Sequence, residues 1–262
     1  VDLKRIELAI DGPVATLWLN RPETRNAIDG LFVTELRKTI FDLGTLDAVR
    51  VIVVRGRGPS FCAGADLEWM RSVAAFSRED NLREAQALAD LFFTIYNSPK
   101  PVVARVHGAA LGGGAGLVAA CDIAVAALGT QFGFTETRLG IIPAVISPYV
   151  LRKIGESAAR ELFLTGERFE AVRAHEIGLV QAAVPEPDLD HCVERRVLEL
   201  LKSGPRAIAE AKLLIEEVGG KRVEDVQRYT VERIADIRVT PEAQEGMRAF
   251  LEKRRPSWAP KD

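Results

Sequence analysis

The period of the apolar positions changes along the chain, and each change marks an element. Ile6–Ile10 and Val14–Asn20 flank Asp11-Gly12-Pro13, a turn signal, which predicts a hairpin. Residues 20–27 are polar around Pro22 and read as a loop. From Leu31 to Leu43 the apolar residues fall at 32, 33, 36, 40 and 43, the spacing of one helical face. Val51–Val54 is unbroken apolar sequence, as expected of a strand covered on both faces. Ser77-Arg78-Glu79-Asp80 has the character of a helix start. The helix after it is expected to bury Leu82, Ala85, Ala89, Phe92 and Tyr96 along one stripe and to stop before Pro99. Pro101–Val106 reads as a strand, 115–120 as a short helix of small residues, Ile123–Ala126 as a strand and Thr130–Phe134 as an extended piece. Strands alternating with helices predict an α/β fold with a mostly parallel sheet. Beyond Val184 no strand-like run follows. Ile208, Ala211, Ile215 and Val218 keep a helical period behind Pro205, and Thr240-Pro241-Glu242 opens a further helix. The last third is therefore expected to be helical and to dock on a neighbour.

With 262 residues there is room for one large α/β domain with an appendage, or for two small ones. A formal net charge of −2 gives no reason to expect nucleic-acid affinity, so any cations that meet a phosphorylated ligand must be local. Cys62, Cys121 and Cys192 are widely spaced, without a CxxC pair, and read as reduced thiols of a cytoplasmic protein. Val1-Asp2-Leu3-Lys4-Arg5 has no apolar core of signal-peptide length. The charge-poor run 106–129 carries glycines and Asp122, which argues against a membrane span.

Two glycine-bearing turns carry the candidate chemistry. Gly112-Gly113-Gly114 lies between the strand ending at Val106 and the helix from Ala115, and Phe61-Cys62-Ala63-Gly64-Ala65-Asp66-Leu67 is a second such junction. Bare backbone N–H groups at two helix starts can share one oxygen and stabilise charge on it. Small residues are wanted at the donors because side chains would crowd the oxygen; tight helix–strand packing favours the same residues. Glu136 follows among apolar neighbours, where burial would raise its pKa and suit it to proton transfer. It also reads as an N-terminal helix acid or a partner of Arg138. Gly112-Gly113-Gly114-Ala115-Gly116-Leu117 fails the dinucleotide fingerprint at Leu117. A phosphate-binding G-x-x-x-x-G-K-[ST] and a G-x-S-x-G nucleophile elbow are missing from the sequence. His107, His175 and His191 lack metal-ligand spacing. Cys62 sits near a helix start, yet packing is favoured over nucleophilic catalysis. Lys253-Arg254-Arg255 beside Phe250 reads either as a solvated helix end or as a phosphate contact.

Taken in order, Asn20-Arg21-Pro22 with Asn26-Ala27, the 61–67 turn, His107–Gly114, Cys121-Asp122-Ile123, Gln131–Gly133 with Glu136, Leu139–Pro143, Leu164-Thr165-Gly166 and Glu245–Arg254 resemble the crotonase family, also called the enoyl-CoA hydratase/isomerase superfamily. The resemblance covers nearly the whole chain. Residues 66–70 and 142–149 look like its bacterial methylglutaconyl-CoA hydratase-like branch. It implies a spiral of β-β-α turns over 1–200 holding an acyl-CoA site, and a helical trimerisation region over 201–262. It implies a homotrimer or a dimer of trimers, with no metal and no cofactor beyond the coenzyme A of the substrate. The Ala65 and Gly113 N–H groups would form the oxyanion hole and Glu136 would move the proton. Ala63, Ala65, Asp66 and Leu67 would lie along coenzyme A, and Phe250 and Lys253 would approach coenzyme A on a neighbouring subunit. The implied reaction is hydration of an enoyl-CoA; the alternatives are Δ3,Δ2-enoyl-CoA isomerisation or acyl-CoA binding without catalysis. One departure stands out: two-carboxylate hydratases of the family have a glutamate where this chain has Gly116.

Overall fold

The computed structural model describes residues 3–260, so Val1 and Asp2 of the N-terminal segment and the last two residues of the C-terminal region lie outside the described residues. β1 (Ile6–Asp11) and β2 (Val14–Leu19) form the expected hairpin, with Asp11 opposite Val14. α1 (Gly30–Thr45) is capped by Asp29, whose carboxylate accepts from the Phe32 amide, and buries the predicted Phe32, Val33, Leu36, Ile40 and Leu43. β3 (Val51–Gly56), α2 (Leu67–Val73) and α3 (Arg78–Tyr96) follow. Next come β4 (Val102–Val106), β5 (Ala109–Leu111), α4 (Gly113–Ala120), β6 (Ile123–Ala127) and β7 (Gln131–Gly133). After α5 (Ser147–Thr165), β8 (Arg168–Glu170), α6 (Ala171–Glu176) and β9 (Ala182–Val184), the long elements are all helices: α7 (Leu189–Lys202), α8 (Pro205–Val218), α9 (Val223–Arg238) and α10 (Pro241–Leu251).

Among the described residues the strands form two sheets. The large one runs β1-β2-β3-β4-β6-β9, parallel at every pair except β1–β2, and the small one runs β5-β7-β8. Successive circuits send one strand to each sheet: β4 then β5, β6 then β7. Isolated parallel bridges Cys62–Ala110 and Ile28–Ala65 extend the small sheet back by two more circuits. This is a β-β-α spiral. β3 shows why its run is unbroken: Ile52 and Val54 enter the main core, whereas Val51 and Val53 enter a second cluster with Leu189, Val193 and Val197 of α7.

One expectation fails in part. α3 starts at Ser77 with a reciprocal Ser77–Asp80 capping box, as read from the sequence. Its buried side chains are Leu91, Phe92 and Ile95; Leu82 and Ala85 are exposed and Ala89 and Tyr96 half-buried. A helix of 19 residues is about 28 Å long, and here only its C-terminal half crosses the core. The C-terminal helices differ in kind: α8 and α9 bury no side chain and α10 buries only Ala249. Among the described residues, no helix is long and apolar enough to cross a membrane.

Candidate active site

The loop before α1 holds the first turn in place. Asn26, fully buried and at φ 58°, accepts from the Arg21 amide through Oδ1 and donates through Nδ2 to the carbonyls of Arg57 and Ser60. Arg21 donates to the Ala27 carbonyl and to Asp66 Oδ2 at 3.0 Å, and it also pairs with Asp29. Asp66 caps α2, accepting from the Glu68 and Trp69 amides. Burial pushes the Asp66 carboxyl up, but these two amides and Arg21 outweigh it and hold the group below its ordinary pKa.

The turn itself is zipped on both edges. Cys62 pairs with β5, its N–H donating to Ala109 O and its carbonyl accepting from Leu111 N. On the other edge the Ala63 amide donates to Arg25 O, Ile28 N donates to Gly64 O at 2.8 Å, and Asp66 N donates to Ile28 O at 2.9 Å. Gly64, at φ 101°, breaks the strand alternation. A parallel bridge uses the groups of the two residues flanking its centre, so the N–H of Ala65 is turned away from Ile28. Among the described residues it has no main-chain acceptor, and neither has the Gly113 N–H at the start of α4.

The second turn lies against the first. A Cβ on Gly64 would sit 3.1 Å from Leu111 O, and one on Gly113 would sit 2.8 Å from Ile28 Cδ1. A Cβ on Gly114 would strike the Cys62 carbonyl oxygen. Gly112, at φ 49°, donates to Gly133 O at 2.8 Å, which ties α4 to β7 and brings Glu136 alongside. A Cβ on Gly112 would lie 3.4 Å from Glu136 Oε1. Glu136 opens the 3-10 turn Glu136–Leu139. Its Oε2 is buried and, among the described residues, has no hydrogen-bond partner. Burial raises the carboxyl above the ordinary glutamate pKa, against a smaller opposing pull from its own backbone N–H. Arg138 is turned elsewhere, donating from Nε to Thr165 O. The expected residues 65, 113 and 136 thus stand together, linked by Ile28 and Gly112.

Other candidates stand apart. The Cys62 thiol is wholly buried and pushed up to about 12, so it packs and does not attack. His107 is held between Arg105 and the Gly58 carbonyl, and burial lowers its pKa. Phe250 is 82 % exposed at the end of α10; among the described residues no hydrogen bond or ion pair joins it or Lys253 to the two turns or to Glu136. Arg254 of the basic tail is occupied by Glu245 and Glu252. A cavity of about 680 Å³ lies at the other end of α4, between Tyr96, Tyr149, Arg152, Lys212 and Glu216. Arg152 and the Tyr96 hydroxyl are met there by Glu216 and Lys212 by Asp122, while Lys153, which also lines the cavity, donates to the Asp122 carbonyl.

No sequence signal gives Ile28, Arg21 or Ile146 a role in the site, although Arg21 and Ile146 fall in stretches that carry the family resemblance. Ile146 explains Gly116. A Cβ there would collide with Ile146 Cγ2, lie 2.9 Å from its Cβ and 3.2 Å from Phe92 Cε1, so apolar packing fills the space a second carboxylate needs. Gly116→Ala is accordingly expected to lower stability by about 1–3 kcal/mol through overpacking, read as a shifted denaturant midpoint at constant slope. An unchanged midpoint would mean that Ile146 yields freely.

Comparison with known proteins gives one consistent result. The family profile described as enoyl-CoA hydratase/isomerase matches residues 9–261. The crystal structure of an enoyl-CoA hydratase from Shewanella pealeana superposes with a TM-score of 0.95 at 38 % identity, covering 98 % of this chain and 96 % of that one. Crotonyl-CoA hydratase of Syntrophomonas wolfei is 31 % identical across 98 % of this chain and 99 % of its own length. The trans-2-decenoyl-[acyl-carrier-protein] isomerase of Streptococcus mutans is 33 % identical over 100 % of both.

Proposed function

The chain belongs to the enoyl-CoA hydratase/isomerase family, and from that premise we propose that it adds water across the 2,3-double bond of an enoyl-CoA thioester. The observation that carries the reading is the buried, unpartnered Oε2 of Glu136, held beside Gly112 where the two glycine turns meet. The thioester oxygen takes the N–H groups of Ala65 and Gly113, and each such donor is worth about 3–4 kcal/mol of barrier. Glu136 removes a proton from water as the water oxygen bonds to the β-carbon. Negative charge then rests on the thioester oxygen. The same carboxyl returns a proton to the α-carbon and ends ionised. A pKa raised by burial suits a group that must both accept and give a proton.

Coenzyme A lies along Ala63, Ala65, Asp66 and Leu67, with Phe250 and Lys253 supplied by a neighbouring subunit. The protein forms a homotrimer or a dimer of trimers in the cytoplasm. Exposed apolar residues of the C-terminal helices, among them Ile215, Val231 and Phe250, support that assembly. Leu67, Leu139, Ile141 and Ile142, near the turns and Glu136, expose apolar surface that suits an aliphatic enoyl chain.

A second reading, Δ3,Δ2-enoyl-CoA isomerisation, is favoured by one observation: Ile146 and Phe92 close the Gly116 position, leaving Glu136 alone to shuttle a proton between carbons. Product mass spectrometry in heavy-oxygen water separates the two on crotonyl-, 3-hexenoyl- and methylglutaconyl-CoA. The hydratase incorporates label into crotonyl-CoA product. Isomerised 3-hexenoyl-CoA without label identifies the second reading, and turnover of none of the three refutes both.

A further inference from the structure

We infer that Ile28 is a positioning residue that sets the spacing between the two N–H donors. The inference rests on the proposed roles of Ala65 and Gly113.

Ile28 is 2 % exposed and touches both turns, by different means. Its main chain grips the first: its N–H donates to Gly64 O and its carbonyl accepts from Asp66 N, the two hydrogen bonds that bracket Ala65. Its side chain props the second, with Cδ1 so close to Gly113 that a Cβ there would come within 2.8 Å of it. The distance from the main chain at 65 to the start of α4 is therefore spanned by one isoleucine, from its peptide groups to its terminal methyl. The other contacts between the turns, Cys62 to β5, Gly64 against the Leu111 carbonyl and Gly114 against the Cys62 carbonyl, do not involve residue 65 or residue 113 itself. Isoleucine suits the task because branching at Cβ restricts χ1, so the δ-carbon is held at a defined reach. The loop that carries Ile28 is itself fixed, by Asn26 to Ser60 and by Arg21 to Asp66. An oxyanion hole works only if its donors are in place before charge develops, and a displacement near 1 Å can cost about 10²-fold in rate. A residue that sets this spacing acts on the transition state more than on coenzyme A binding.

The test uses Ile28→Val, Ile28→Ala and Ile28→Leu in the full chain, with folding checked by circular dichroism. Two readouts are taken: kcat and KM on crotonyl-CoA, and the carbonyl stretch of bound crotonyl-CoA by isotope-edited infrared difference spectroscopy. In the wild type the stretch is expected to move to lower frequency on binding. Ile28→Val, which lacks the δ-methyl, is expected to lose part of that displacement and about 10-fold in kcat, and Ile28→Ala more, with KM changed less than about 3-fold. Ile28→Leu, which regains δ-carbons, is expected to recover most of both. Ile28→Val keeps the proposal testable should Ile28→Ala fail to fold. A wild type without any carbonyl displacement would refute the oxyanion-hole reading itself. A displaced carbonyl in the wild type that stays fully displaced, with kcat retained, in folded Ile28→Val and Ile28→Ala would overturn the spacer role alone.

Discussion

Glu136→Gln is expected to lower kcat on crotonyl-CoA at least ~10²-fold, while the affinity for a saturated acyl-CoA stays within about 3-fold. Glutamine keeps the shape of the side chain beside Gly112 and removes only the proton traffic. The same substitution has a consequence for stability. The carboxyl of Glu136 is raised in the folded state, so its favourable contribution is complete below the ordinary glutamate pKa and is lost as the pH climbs through the raised value. The variant has nothing to ionise there. Its melting temperature is expected to match the wild type in acid and to meet or exceed it at pH 7–8, by differential scanning fluorimetry. Loss of activity together with a lower melting temperature at pH 8 would mean that Glu136 is a structural acid.

Gly114→Ala is expected to damage the fold and the donor geometry together. The added carbon meets the Cys62 carbonyl and lies 2.9 Å from Cys62 Cβ, and neither belongs to a flexible side-chain end. Relief requires α4 to part from the Phe61–Leu67 turn, and so separates Gly113 from Ala65. A stability loss of about 3 kcal/mol or more corresponds to a fall of roughly 6–12 °C in melting temperature. Turnover measured well below that temperature should still drop more than about 10-fold, because donor geometry is disturbed in the folded protein. A variant with wild-type melting and turnover would show that the two turns are not in register as described.

Much of the fold can be read from the residues because its signals are periodic or chemical. The α1 stripe and the doubly covered β3 follow directly from the spacing of apolar residues. Three-residue strands such as β5, β8 and β9 are too short to show a period, and their pairing is fixed by partners distant in the chain. The stripe of α3 has the right period but the wrong extent, since no local pattern reports where the core ends and Leu82 emerges from it. At the site, glycines and a lone acid announce themselves. Ile28 does not: an isoleucine between Ala27 and Asp29 looks like any core residue, and only the bridge to Ala65 and the contact with Gly113 distinguish it. Ile146 is hidden for the same reason, being thirty positions from the glycine whose side-chain space it fills. Arg21 and Asn26 carried a weaker signal, two polar residues in a short loop whose buried hydrogen bonds were not visible from sequence.

The central claim is tested most directly by a crystal structure of Glu136→Gln with crotonyl-CoA bound. The account predicts the thioester oxygen within about 2.7–3.1 Å of both the Ala65 and the Gly113 nitrogens, with the residue 136 side chain facing the double bond. A thioester oxygen bonded to only one of the two nitrogens, or seated elsewhere, would contradict it.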